Sequence, residues 1–125
     1  MTYQTVVLLS SSAIERRDLG FGLMRFGYEP IAVSTREEAL DTLNSVKRVS
    51  LIIVEANADG LAFAKEASAA RPGIRVIYMA EAPHRVQGRD KVPDAPIIRS
   101  PCAAHQLAGI ISGFTRRPTE DRHVA

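Results

Sequence analysis

The sequence contains a single cysteine, Cys102, and no tryptophan. One cysteine excludes an internal disulfide, and with it the disulfide-stapled secreted scaffolds; a reducing, cytoplasmic setting is the expectation. Histidine is scarce as well. His84, His105 and His123 are scattered and share no metal-ligand spacing, so no metal site is expected. Long apolar runs are missing: the longest are of strand length, and no segment reads as membrane-spanning. The N-terminus lacks the basic region and apolar core of a signal peptide. An excess of one charge is absent too, since 16 Lys and Arg face 14 Asp and Glu, a net charge of +2. That balance does not argue for nucleic acid. No Ser-His-Asp, Cys-His or paired-carboxylate arrangement can be assembled, so the chain does not read as an enzyme.

What is present suits one globular domain. The chain has 125 residues, 46% hydrophobic and 24% charged, enough for a single core. Apolar bursts at Val6–Leu9, Leu51–Val54, Ile74–Met79 and Pro96–Ile98, with a weaker one at Pro30–Val33, read as strands. Their continuous rather than alternating character predicts burial on both faces. Helical segments lie between them. Ala13–Phe26 carries Leu19, Leu23 and Phe26 at helical spacing, with Gly20 and Gly22 inside it and Gly27 at its end. Thr35-Arg36-Glu37-Glu38 reads as a capping box opening a helix through Leu43 to Val46. Ala62–Ala70 and Ala103–Phe114 complete the set, the latter with Leu107, Ile110, Ile111 and Phe114 on one face. Ala82–Ala95 is irregular, and at most a short helix is expected there. Thr115–Ala125 reads as a flexible tail, leaving residues 1–114 as the domain. The alternation predicts a doubly wound, five-stranded parallel α/β sheet.

The most informative stretch is Ser50–Gly60, in which the apolar run Leu51–Val54 ends on Glu55. A helix start is expected at Asp59. In a parallel sheet this places Glu55 at the carboxyl end of a central strand, where such folds carry their working side chains.

Over residues 4–114 the pattern resembles the receiver domain of two-component response regulators. The resemblance rests on Arg16-Arg17 with Leu19, Leu23 and Gly27-Tyr28, on Glu37-Glu38-Ala39-Leu40, on Arg71-Pro72-Gly73-Ile74-Arg75-Val76-Ile77, and on Arg99-Ser100-Pro101-Cys102. It implies a flavodoxin-like receiver fold and a role in phosphorelay signalling. The phosphoacceptor position falls on Glu55. The acidic pair that holds magnesium falls on Ser10 and Ser11, neutral groups that are poor ligands for a hard cation. The hydroxyl position at the end of the fourth strand falls on Ala80, or on Met79 in a shifted register. The lysine position falls on Ser100, and the aromatic switch position on Ile97. Arg99 lies next to Ser100, but strand alternation points it to the other side. The loop after Glu55 is short and lacks the usual Pro.

Phosphoryl transfer needs a metal and preplaced donors. The expectation is therefore a degenerate receiver, or pseudo-receiver, with weak or no magnesium binding, no cofactor, and no phosphorylation at Glu55. Two readings of Glu55 remain. It imitates a phosphorylated Asp, or it is an ordinary strand-end carboxylate, solvated or paired with a nearby cation. The implied partner is another signalling protein, a kinase or an output protein, or a second copy of the chain. Arg85, Arg89, Ile97, Leu107 and Ile111 are the expected partner surface.

A second function class is a flavodoxin-like small-ligand or anion-binding module that uses Ser10-Ser11-Ser12 at a helix start. Helix capping by Ser11 or Ser12 is the plainer reading. Cys102 beside Pro101 at a helix start has a setting that lowers a thiol pKa, but no partner His is assignable, and a packed or inert thiol is the plainer reading. Arg85, Arg89 and Lys91 form a basic run diluted by Asp90 and Asp94.

Overall fold

The computed structural model describes residues 4–46 and 48–124. The strands are β1 (Gln4–Leu9), β2 (Tyr28–Val33), β3 (Val49–Glu55), β4 (Arg75–Ala80) and β5 (Ile97–Arg99). The helices are α1 (Ala13–Arg25), α2 (Arg36–Ser45), α3 (Ala58–Ala70) and α4 (Ala104–Val124). All strand pairs are parallel, in the order β2-β1-β3-β4-β5. This is the doubly wound sheet that the alternating apolar bursts imply.

The continuous apolar runs mark the centre of the sheet. Leu51, Ile52, Ile53 and Val54 of β3 are all fully buried because helices cover both faces. On one face Val7, Ile52 and Tyr78 pack with Ala39 and Leu43 of α2 and Phe63, Ala64 and Ala67 of α3. On the other, Val6, Leu8, Ile53 and Met79 pack with Leu19 and Leu23 of α1 and Leu107 and Ile111 of α4. No helix among the described residues is long and apolar enough to cross a membrane.

Polar side chains fix the helix starts. Ser12 Oγ accepts from the N–H of Glu15 at 3.1 Å, and Thr35 Oγ1 accepts from the N–H of Glu38 at 3.1 Å. The start of α3 is set by Asn57, whose Oδ1 accepts from the N–H of Gly60 at 2.8 Å. That helix therefore begins at Ala58, one residue before the expected Asp59. Gly27 follows α1 with φ 90°, a left-handed conformation that glycine adopts without a Cβ penalty.

Close approach explains one of the two glycines inside α1. A Cβ on Gly22 would lie 2.3 Å from Cβ of Ala104, so Gly22 lets α1 meet the start of α4, whereas Gly20 has no neighbour within 4 Å. Arg71 holds the opposite layer. Its Nη2 donates to the carbonyl oxygens of Leu43 and Val46, and its Nη1 to that of Val49 at 3.5 Å, joining the exit of α3 to the α2–β3 connection.

Two short 3-10 turns, Pro83–Arg85 and Gly88–Asp90, stand where a regular alternation would place a fourth crossover helix. This agrees with the short or irregular element expected there. Buried Tyr78 anchors the stretch, its hydroxyl accepting from the N–H of Val92 at 2.8 Å. Lys65 Nζ donates to the carbonyl of Arg89 at 2.7 Å.

The α4 backbone runs past Phe114 as helix to Val124, through the stretch expected to be a tail. Ala125 lies outside the described residues. Leu107 and Ile111 require a correction. Both are fully buried against α1 and the sheet, so they belong to the core and not to a partner surface. The apolar face of α4 is the face the domain itself consumes.

Candidate functional site

The carboxyl ends of the strands bring together most of the positions singled out from the sequence. Ser10 follows β1, Glu55 ends β3, Ala80 ends β4, and Ser100 follows β5. Register fixes their levels: Glu55 pairs with Met79, Ala80 pairs with Arg99, and the N–H of Ser100 donates to the carbonyl of Ala80 at 2.8 Å. Ala80, not Met79, therefore stands at the end of β4.

Glu55 is half-buried, and neutral donors hold its carboxylate. Its Oε1 accepts from the N–H of Ser11 at 3.1 Å, from the hydroxyl of Ser11 at 2.8 Å and from Nδ2 of Asn57 at 2.8 Å. No cation pairs with it among the described residues; a serine and an asparagine occupy Oε1. Asn57 serves two ends at once, since its Oδ1 also caps α3. The turn between them is tight. A Cβ on Gly60 would fall 1.7 Å from the Glu55 carbonyl oxygen, so α3 starts directly against the end of β3.

A second carboxylate completes the arrangement. Glu15, in the first turn of α1, accepts from Ser10 Oγ at 2.7 Å through Oε1 and from Ser100 Oγ at 2.9 Å through Oε2. It thereby links the ends of β1 and β5. Ser10 is fully buried, and its Oγ also accepts from the N–H of Ser12 at 3.1 Å. Arg16 Nη1 donates to the carbonyl of Ser10 at 2.7 Å. Arg99 points away, donating through Nη1 to the carbonyl of Glu81 at 3.2 Å.

These contacts decide what the edge can bind. The Ser10 and Ser11 hydroxyls and the Ser11 and Ser12 N–H groups are turned onto Glu15, Glu55 and Ser10, not outward as an anion cradle. Two carboxylates beside them repel an anion further. The donor set is also poor for magnesium, which prefers several carboxylates and waters in octahedral array. Glu55 Oε1 and both oxygens of Glu15 already accept from neutral groups. Among the described residues, no group of three or more His, Cys, Asp or Glu could hold a metal ion.

Cys102 is a packed thiol, as the plainer reading expects. It is half-buried, and α4 begins only at Ala104. Burial pushes the thiol up from its ordinary pKa, and the neighbouring Glu15 carboxylate pushes the same way. Its Sγ lies 4.0 Å from Sδ of Met79. Arg85 and Arg89 are exposed, and Ile97 is half-buried against the α2–α3 side of the core.

Glu15 and Asn57 are absent from the candidates read from the sequence, although both carry local signals. Ser12-x-x-Glu15 has capping-box spacing, and Asn57 is a helix-capping type placed before an alanine-rich segment. What each side chain reaches across the sheet edge has no local signal.

No protein-family model matches the chain, and no curated protein matches it. Solved structures do. A response regulator receiver protein from Sinorhizobium medicae WSM419 superposes with a TM-score of 0.74 at 24% identity, over 88% of this chain and 92% of that one. A CheY-like receiver domain protein from Methanospirillum hungatei JF-1 gives a TM-score of 0.79 at 14% identity, over 96% and 99%. The chemotaxis response regulator CheY4 of Vibrio cholerae gives 0.76 at 18% identity, over 89% and 98%. The fold is the receiver fold. At these identities the likeness concerns architecture alone.

Proposed function

We propose that this chain is a receiver-like domain of two-component signal transduction that binds a signalling partner and does not accept a phosphoryl group. One observation carries the reading: the carboxyl end of the central strand bears a glutamate, one oxygen of which already accepts from Ser11 and Asn57. The surrounding positions support it. Ser10 and Ser11 replace the metal-binding acids, Ala80 offers no hydroxyl, and Ser100 offers no cation. Nothing there neutralises the charge that develops in phosphoryl transfer.

In this reading Glu55 is a structural tie, and the domain is a fixed scaffold. A phosphate imitation has to be read by a hydroxyl on β4 and a cation after β5, and neither is present. The partner, a kinase or an output protein, meets the face that carries the exposed Arg85 and Arg89. The anion-binding alternative is disfavoured because the Ser10 and Ser11 hydroxyls and the Ser12 N–H donate inward.

Amide NMR spectra with magnesium and beryllofluoride, a phosphoryl analogue, test this. The account predicts no shifts at Ser11, Glu55, Ala80 or Ser100 beyond those caused by salt alone. Saturable shifts confined to those residues would contradict it.

A further inference from the structure

Helix α1 is apolar on two sides. Leu19 and Leu23 face the core at 3% and 0% exposure. Ile14, Phe21 and Met24 are 66%, 64% and 59% exposed, and Phe26, just past the helix end, is 52% exposed. The large exposed hydrophobic residues of the described structure thus fall on one helix and its C-cap. Single exposed apolar residues are ordinary, but a run of them along one element marks a contact surface.

We infer that a second copy of this chain docks on α1, through an antiparallel two-fold helix contact centred beside Phe21. The charges on the face select this occupant. At 3.6 residues per turn, Ile14, Phe21 and Arg25 lie within about 20° of one line, with Asp18 about 40° to one side. In a two-fold antiparallel pair, each residue meets the one mirrored in height on the same flank. An axis just past Phe21 stacks Phe21 against its mate and brings Asp18 opposite Arg25 of the other copy, twice by symmetry. The same operation carries Ile14 beyond the other helix's end. There it reaches a cleft of about 510 Å³ lined by Met24, Arg25, Gly27, Tyr28, Glu29 and Pro30. Apolar centre, opposite charges and cleft are complementary in a single placement.

The present partner of Asp18 gives way easily. It is Arg17 at 3.4 Å, with side chains 65% and 63% exposed, a solvated pair that contributes little. The platform is firm, because Gly22 seats α1 against Ala104. One helix pair buries less than the roughly 800 Å² per partner of stable complexes, so the association is micromolar or weaker. This face lies across the sheet from the Arg85–Arg89 segment, which leaves that surface open to a different partner.

Sedimentation of the intact chain from roughly 1 μM to 1 mM tests the inference. A reversible monomer–dimer equilibrium is expected, with Phe21→Asp monomeric throughout while circular dichroism and thermal midpoint are kept. Asp18→Arg and Arg25→Asp each weaken dimerisation about tenfold, and the double variant restores it to within about threefold. Should Phe21→Asp unfold the chain, Ile14→Ser supplies the same readout. A wild type that stays monomeric, a dimer indifferent to Phe21→Asp and Ile14→Ser, or a charge swap that restores nothing would overturn it.

Discussion

The N–H and the hydroxyl of Ser11 both donate to one oxygen of Glu55, at 3.1 and 2.8 Å. This double contact ties the loop after β1 to the end of β3, at the carboxyl edge of the sheet. Removing Ser11's hydroxyl leaves the backbone N–H in place, so Ser11→Ala costs about 0.5–1.5 kcal/mol in urea unfolding. Asn57→Ala costs more, about 1–2 kcal/mol, because the cap of α3 goes with it. The double variant is less than additive, since both donors share one acceptor. Strict additivity would mean that the two contacts are not one cluster.

Steric fit supplies a second prediction. Gly60→Ala puts a methyl group 1.7 Å from the Glu55 carbonyl oxygen, against backbone that has little room to retreat. A loss of about 3 kcal/mol or more is expected from thermal or urea unfolding. Gly22→Ala clashes with the Ala104 methyl at 2.3 Å, and Ala104→Gly in the same chain recovers most of that loss. A stabilising Gly22→Ala would show that helix propensity outweighs the packing of α1 on α4.

The acid limb of the stability profile is a third. Side-chain hydrogen bonding from Ser34 holds Glu38 below the usual carboxylate range. Hydrogen bonding from Arg36, at 2.6 and 2.8 Å, does the same for Glu66. Groups depressed on folding contribute stability above their unfolded pKa, near ~4.3, and lose it as pH falls through the folded value. Urea midpoints should therefore fall below about pH 4.3, and less steeply in Glu38→Gln. An unchanged slope in that variant would remove Glu38 from the account.

Cys102 offers a fourth. Burial first, and the Glu15 carboxylate second, raise its pKa, so the thiol stays protonated near neutrality. Its reaction with an aromatic disulfide reagent at pH 7.5 should be at least about tenfold slower in the folded chain than in urea. A folded rate equal to the unfolded one would place the thiol in solvent.

Much of this architecture is legible in the letters, because burial on both faces leaves an unbroken apolar signature. Leu51–Val54 announces a central strand, Thr35-x-x-Glu38 announces a helix start, and the parallel doubly wound sheet follows from the alternation. Glu55 is placed correctly for the same reason: a strand's end is a local fact. Its partners are not local. Ser11 and Glu55 are 44 positions apart, and Glu15 and Ser100 are 85 apart, so only the folded sheet brings them together. Leu107 and Ile111 show the converse limit. Periodicity identifies the apolar face of a helix but does not say whether the domain or a partner covers it. The same ambiguity hides the outward apolar residues of α1.

The central claim is that Glu55 closes this site and takes no phosphoryl group. The most direct measurement is the intact mass of the chain after incubation with acetyl phosphate and magnesium. The account predicts an unchanged mass for the wild type and for Glu55→Asp, because the Asp restores neither the metal ligands nor the charge-neutralising groups at Ala80 and Ser100. A stoichiometric gain of one phosphoryl group on the wild type, lost in Glu55→Gln, would contradict it.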